Sequence, residues 1–150
     1  MNKMTQVNFS ELPQPILADH PEWVELYHRA WRLAAAHTKV TKGGRAYMDS
    51  AMDPKGCREW VWDTCFMSMF CRYAPEKFPG VQSLDNFYEL HRDDGYISMA
   101  YDLDTGTEPW PDRINPPLFV WAEWEYYLAT GDSSRFERVI GHIERLNGLD

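Results

Sequence analysis

Two tryptophans and a carboxylate stand close together near the middle of the chain. Residues 58–66 read Arg-Glu-Trp-Val-Trp-Asp-Thr-Cys-Phe, so Trp60, Trp62 and Asp63 are near neighbours. The apolar C–H face of a pyranose stacks on an aromatic ring, and a carboxylate accepts hydrogen bonds from two adjacent hydroxyls. These residue types therefore favour a sugar-binding site. The alternative is structural, because a tryptophan-rich segment at helical spacing is usually part of a core.

A second set of candidate ligands lies just before the proline pair at 116–117. Arg113 offers a planar fork of N–H donors, and Asn115 offers an amide, both of which suit sugar hydroxyls. Each residue also has a simpler interpretation. Arg113 is placed to form a surface ion pair with Asp112 or Glu108, and Asn115 is placed to cap the helix that follows.

The remaining acidic residues are weaker candidates for chemistry. Asp93 and Asp94 precede Gly95, a sequence that indicates a turn. Glu123 and Glu125 fall within a helical pattern, where positions two apart do not share a face, so they do not form an acid–base pair. We expect both glutamates to be solvated or structural, with one of them buried and hydrogen-bonded. The catalytic residues remain unassigned.

Composition narrows the class of protein. The 150 residues carry a net charge of −8, and 15% of them are aromatic, which predicts one globular domain with a real core and excludes disorder. The acidic balance disfavours nucleic acid, and no apolar run predicts a membrane span or a secretion signal. The sequence therefore predicts a cytoplasmic protein.

The cysteines and histidines do not indicate a metal or cofactor site. Three cysteines, none of them in a CxxC pair, form neither a disulfide framework nor a zinc site. Cys65 and Cys71 are expected to be small buried hydrophobes on a helix. The five histidines are scattered without metal-ligand spacing. No metal and no cofactor are predicted.

Apolar residues at helical spacing predict an all-α fold. The predicted helices are 21–37, 59–73, 80–91, 116–129 and 133–146. Asp19 is the expected N-cap of the first helix. Residues 1–20 are an irregular lead, and residues 21–150 form the helical domain.

Two long connections separate the predicted helices. Residues 38–56 and 93–115 have no clear period, apart from a possible short hairpin within residues 96–104. Connections of this length in a compact domain are often functional.

Four segments, in this order, resemble the N-terminal part of the (α/α)6-barrel domain of trehalases and glycoside hydrolase family 63, which includes processing α-glucosidases and mannosylglycerate hydrolases. Residues 62–66 match the family's Trp-Asp-x-x-Phe, and residues 94–97 match its Gly-aromatic/His-Ile segment. Residues 113–117 correspond to a segment ending in Gln-Pro-Pro or Lys-Pro-Pro, and residues 121–132 match the helix and turn that follow. The resemblance covers about residues 58–135 and implies part of a six-hairpin barrel.

The resemblance implies an inverting α-glycosidase, in which one carboxylic acid protonates the leaving oxygen and a second carboxylate activates water. It implies that Trp62 and Asp63 line the subsite for the non-reducing sugar and that Arg113 contributes from its loop. Asn115 stands where the family has glutamine or lysine. Residues 98–100, Ser-Met-Ala, depart from the Pro-Asn-Gly of trehalases, which argues against trehalase and leaves the sugar open.

The resemblance also implies an incomplete barrel. The family's general acid and base come from later segments, and a six-hairpin barrel needs about twelve helices, whereas five consume this chain. We therefore expect an N-terminal fragment that contacts an oligosaccharide or small glycoside, with the catalytic acid and base beyond residue 150. Its apolar faces would be covered by self-association or by the remainder of the barrel.

Two other functions remain compatible with the sequence. One is a non-hydrolytic sugar-binding or epimerase-like protein on the same helical hairpins, because one fold hosts several chemistries. The other is a helical interaction module whose aromatic residues form an interface.

Overall fold

A computed structural model describes residues 7–52, 56–116 and 118–148. Five α-helices and four short strands follow one another along these residues, after a 3-10 turn at Phe9–Glu11 in the predicted lead. The elements are α1 (Pro21–His37), β1 (Thr38–Val40), β2 (Ala46–Met48), β3 (Arg58–Trp60), α2 (Val61–Cys71), α3 (Gly80–Leu90), β4 (Ala100–Asp102), α4 (Phe119–Thr130) and α5 (Ser134–Leu146). The predicted helices are confirmed in their order. Residues 1–6 of the lead lie outside the described residues.

The fold is mixed, so the all-α prediction is only partly right. β1 pairs antiparallel with β2, and β3 pairs antiparallel with β4, in two separate two-stranded sheets. Each strand has three residues, too few for a period-two pattern to stand out in the sequence. The possible hairpin within residues 96–104 is not formed, because β4 pairs with β3 instead.

Three predicted helix starts need correction. Asp19 does not cap α1, because His20 holds the N-cap position and makes no side-chain cap bond. α2 begins at Val61 rather than at residue 59, since the preceding three residues form β3. α4 begins at Phe119 after the N-cap residue Leu118, so Asn115 is not its cap. Pro117, the second predicted first-turn proline, lies outside the described residues.

Small residues let α2 approach α3 closely. The buried positions of α2 are Val61, Thr64, Cys65, Ser68 and Cys71, none of them aromatic. A Cβ on the first residue of α3, Gly80, would lie 2.7 Å from the Cβ of Cys71, so glycine is required there. The expectation that Cys65 and Cys71 are buried helix residues is confirmed.

The larger of two apolar clusters lies between α2, α3, α4 and α5. Leu84, Phe87 and Tyr101 at its centre are fully buried. The second cluster joins α1 to the end of α2, with Trp31 stacked on Phe78 at 5.2 Å between ring centroids. These two clusters fix the helices whose ends carry the predicted site.

α2 and α4 run in the same direction, side by side. Phe66 in α2 meets Trp121 near the start of α4, and Arg72 after α2 meets Glu125 further along α4. The aromatic residues of this layer lie on its outer face: Trp62 is 43% exposed, Phe66 42% and Trp121 49%. We call Trp62, Phe66 and Trp121 the aromatic row. Trp62 therefore lies outside both apolar clusters of the described residues.

Candidate functional site

Two consecutive backbone hydrogen bonds join the three segments that carry the predicted site. The N–H of Val61, the first residue of α2, donates to the carbonyl of Met99 at 3.0 Å. The N–H of Met99 donates in turn to the carbonyl of Arg113 at 2.9 Å. The start of α2, which carries Trp62 and Asp63, is thus linked to the loop that carries Arg113 through Met99, which lies between them. The sequence placed these segments about fifty positions apart, and the fold brings them together.

Trp60 has an aromatic partner that the sequence analysis missed. Its ring lies 4.9 Å from that of Trp110, at an interplanar angle of 37°, and the Arg58 guanidinium lies 5.2 Å from the Trp110 centroid. The indole N–H of Trp60 is buried and has no hydrogen-bond partner within the described ranges. Trp110 lies in a Pro-Trp-Pro sequence within a long loop, a place where an aromatic residue has no regular core to enter.

Trp62 and Asp63 occupy the first turn of α2. Trp62 contacts Phe66 edge-on at 5.6 Å, and Phe66 contacts Trp121 edge-on at 6.1 Å, so the aromatic row is continuous across both helices. Asp63 is half-buried. A carboxylate in the first turn of a helix is stabilised by the unpaired N–H groups and the helix dipole, which keeps it available as a hydrogen-bond acceptor.

Arg113 and Asn115 lie on the loop before α4. Arg113 is exposed and Asn115 is half-buried. Glu108, one of the two acids considered as a partner for Arg113, instead binds Arg92 through two bonds, one of them 3.1 Å from Nε to Oε1. Arg113 therefore keeps its position through its backbone, whose carbonyl accepts bonds from Met99 and from the Tyr96 hydroxyl.

Glu123 is a structural residue, as one of the two glutamates on α4 was expected to be. It is 2% exposed and binds Arg135, which is 4% exposed, with 2.8 Å from Arg135 Nη2 to Glu123 Oε1. Arg135 also binds Asp85 and the Val81 carbonyl, and the Tyr88 hydroxyl donates to Glu123 at 3.0 Å. Burial raises the pKa of Glu123, and the bonds from Arg135 offset part of that effect.

Glu59 is another buried acid, and its side chain points to the opposite face of β3 from that of Trp60. It lies between Arg58 and Trp60 on β3, where alternate side chains point to opposite faces. Its Oε2 accepts a 3.0 Å bond from Asn86, while Oε1 has no partner in the described part of the chain. Burial raises the pKa of Glu59 well above its ordinary value. A substrate cannot reach this carboxyl without disrupting the core.

A groove of about 430 Å³ lies elsewhere, between α1, α2 and the residues after β2. Leu33, Met48 and Phe70 are among the residues that line it, and none of the five predicted site residues does. In residues 7–52, 56–116 and 118–148, no three His, Cys, Asp or Glu side chains converge to hold a metal ion. No helix in these ranges has the length and apolar character to cross a membrane.

The comparisons with known proteins give little functional information. No family model matches the chain, and no solved structure matches it significantly. An uncharacterized protein of Borreliella burgdorferi (strain ATCC 35210 / DSM 4680 / CIP 102532 / B31) is 30% identical over 88 residues. The match covers 54% of this chain and 18% of the length of that relative.

Proposed function

We propose that this chain forms a sugar-binding wall of an inverting (α/α)6-barrel α-glycosidase. The observation that carries the proposal is the pair of backbone hydrogen bonds that links the start of α2, next to Trp62 and Asp63, through Met99 to Arg113. An aromatic face, a carboxylate acceptor and a guanidinium donor are the groups that bind a pyranose. The resemblance of residues 58–135 to such enzymes supports the same function.

The exposed apolar face of α4 supports the proposed barrel. Inner helices of a helical barrel are covered on two sides and therefore carry apolar residues all round. α4 fits this pattern because it buries Phe119 on one side and exposes Val120, Trp121 and Trp124, each about half exposed, on another. In the proposed barrel further helices cover these exposed faces, and α2 and α4 run parallel as inner helices.

The proposal assigns substrate contacts, and not proton transfer, to this chain. An inverting glycosidase needs two carboxyl groups about 6.5–9.5 Å apart on opposite sides of the bond that is cleaved. The buried acids Glu59 and Glu123 are bound to Asn86 and Arg135 and do not reach a ligand. The general acid and base would come from other parts of a longer protein.

Titration of the 150-residue chain with methyl α-D-glucopyranoside and methyl α-D-mannopyranoside tests the proposal by tryptophan fluorescence and by NMR. We expect Trp62→Ala and Asp63→Asn each to lower affinity about tenfold or more, because each removes a direct contact. Trp124→Ala is the matched control, since Trp124 is also about half exposed but packs on Phe136 of α5. Melting temperatures separate loss of binding from loss of fold. Equal losses in Trp62→Ala and Trp124→Ala, or no response to either sugar, would contradict the proposal.

A helical interaction module is the second candidate, and the exposed aromatic row favours it. Exposed apolar patches of this kind also mark protein interfaces. Sedimentation of the wild type and of Trp121→Ser distinguishes the two functions. Self-association that Trp121→Ser abolishes, without any sugar response, would favour the interaction module.

A further inference from the structure

The loop that carries Arg113 is held by an arginine from the segment after α3. Arg92 binds Glu108 through both Nε and Nη2, and its Nη2 also donates to the Pro111 carbonyl at 2.8 Å. One guanidinium therefore fixes two points of the 108–113 loop. Lysine offers a single ammonium group and cannot reproduce this fork of donors.

A tyrosine extends the same support to Arg113 itself. The Arg92 guanidinium lies 4.2 Å from the centroid of the Tyr96 ring, a cation–π arrangement that orients the ring. The Tyr96 hydroxyl donates to the Arg113 carbonyl at 2.9 Å. Because Met99 N–H donates to the same carbonyl, that oxygen accepts two bonds.

The turn that presents Tyr96 is itself fixed against α5. Gly95 has a φ of +80°, and a Cβ there would lie 2.6 Å from the backbone of Arg145. A larger residue would therefore displace either the turn or the helix. The turn that presents Tyr96 is therefore packed directly against α5, which fixes the position from which Tyr96 contacts the loop.

We infer that Arg92 and Tyr96 are positioning residues for the 108–113 loop. They set the place of Arg113 in the sugar site, so the inference rests on the proposed function. Neither residue needs to touch the sugar. The structure assigns them through their contacts with the loop backbone.

Amide hydrogen exchange tests the loop directly, without any ligand. In Tyr96→Phe the Met99 amide should exchange about two- to tenfold faster, because the loop that carries its acceptor loses one of its anchors and opens more often. Tyr27→Phe is the matched control, since the Tyr27 hydroxyl also donates to a backbone carbonyl, that of Pro13, near the chain's start. Arg92→Lys should act like Tyr96→Phe, with the exposed Arg138→Lys as its control.

A double-mutant cycle tests whether the support acts through Arg113. Tyr96→Phe should weaken binding of methyl α-D-glucopyranoside or its mannoside about three- to tenfold when Arg113 is present. It should have no effect on affinity in the Arg113→Ala background. A purely structural role would lower the melting temperature equally in both backgrounds and would not show this coupling.

Two results would overturn the inference. One is a Met99 amide that exchanges at the same rate in Tyr96→Phe and Tyr27→Phe. The other is an equal loss of affinity in the presence and absence of the Arg113 side chain. If the wild type binds neither sugar, the proposed function fails, and the exchange rates alone then support or overturn the positioning of the loop.

Discussion

A surface helix usually exposes polar residues and buries apolar ones, but α4 exposes apolar residues and includes a charged residue on its buried side. The buried side holds Glu123 in a network with Arg135, while the outer side exposes Val120 and Trp121. α5 also buries a charge, Arg135, but its exposed side carries the charged Glu137 and Arg138. The exposed apolar residues of α4 indicate that solvent is not the partner for which that side is built.

The buried side of α4 holds residues that stabilise the fold, whereas its exposed side holds residues that are available for binding. The Glu123–Arg135 network joins α4 to α5, and through Asp85 it reaches α3. The aromatic row on the other side contributes few of the contacts that define the core. Mutations on the two sides should therefore have very different effects on stability.

The largest effect should come from breaking the buried network. Arg135→Ala leaves the Glu123 carboxylate buried without its cation, which should lower the free energy of unfolding by about 3–5 kcal/mol. Arg138→Ala, which removes an exposed partner of the same Asp85, should cost less than about 1 kcal/mol. Urea denaturation measures both. A loss below about 1 kcal/mol for Arg135→Ala would contradict the prediction that the buried network contributes more to stability than the exposed residues do.

Phe87 and Phe66 allow the same substitution to be made in the buried core and in the aromatic row. Phe87 is fully buried against Tyr101 and Phe119, so Phe87→Ala should cost about 3–5 kcal/mol. Phe66 is 42% exposed, so Phe66→Ala should cost about 1 kcal/mol. Thermal and urea unfolding of the pair measure the difference. Equal losses would mean that the aromatic row belongs to the core.

The buried Glu59 should make stability depend on pH. Because burial raises the pKa of Glu59, the folded protein keeps this proton to a higher pH than the unfolded chain does. Stability should therefore fall as pH rises from the unfolded value of about 4.3 up to the folded pKa, and the loss is constant above that. Glu59→Gln should reduce this slope to the part due to Glu123, whose pKa burial also raises, whereas the exposed Glu76→Gln should leave the slope unchanged. Urea midpoints between pH 4 and 8 test this, and a slope as steep in Glu59→Gln as in the wild type would contradict it.

The smallest effect should come from the ion pair at the edge of the aromatic row. Arg72 and Glu125 are both partly exposed, and Glu125 also accepts a 3.0 Å bond from the Trp121 indole. Glu125→Gln keeps an acceptor for that indole and should cost no more than about 1 kcal/mol. Glu137→Gln on the exposed side of α5 is its control. The loss of stability caused by Glu125→Gln should become smaller as salt is added, because salt screens exposed charges. A loss that does not change with salt would mean that the Arg72–Glu125 pair behaves as a buried ion pair.

The sequence predicted the helices better than it predicted their faces. Periodic apolar residues located all five helices, and α1 was predicted at both of its ends. The buried face of α2 was not predictable from hydrophobicity, because the helix buries Thr64 and Ser68 and exposes Trp62 and Phe66. Close packing against Gly80 selects small residues, and tertiary packing then overrides the ranking of apolar residues.

The residues of the proposed site could be named from the sequence, but their arrangement could not. The residue types at Trp62, Asp63 and Arg113 are visible in the sequence, but the backbone bonds that bring their segments together are not. Trp110 was missed because a single aromatic residue in a loop has no period to reveal it. Arg135 was missed because its partner Glu123 belongs to another helix.

The pairing of β3 with β4 has a consequence for the order of folding. It joins residues about forty positions apart, whereas α2 and α3 are near neighbours in the chain. Closing so long a loop costs entropy, and this cost is offset only when later contacts form. The α2–α3 hairpin should therefore form first and the strand pair afterwards. Trp60 meets Trp110 only once that pair has closed. The fluorescence of the Trp60–Trp110 contact should therefore report the closure of the strand pair during refolding.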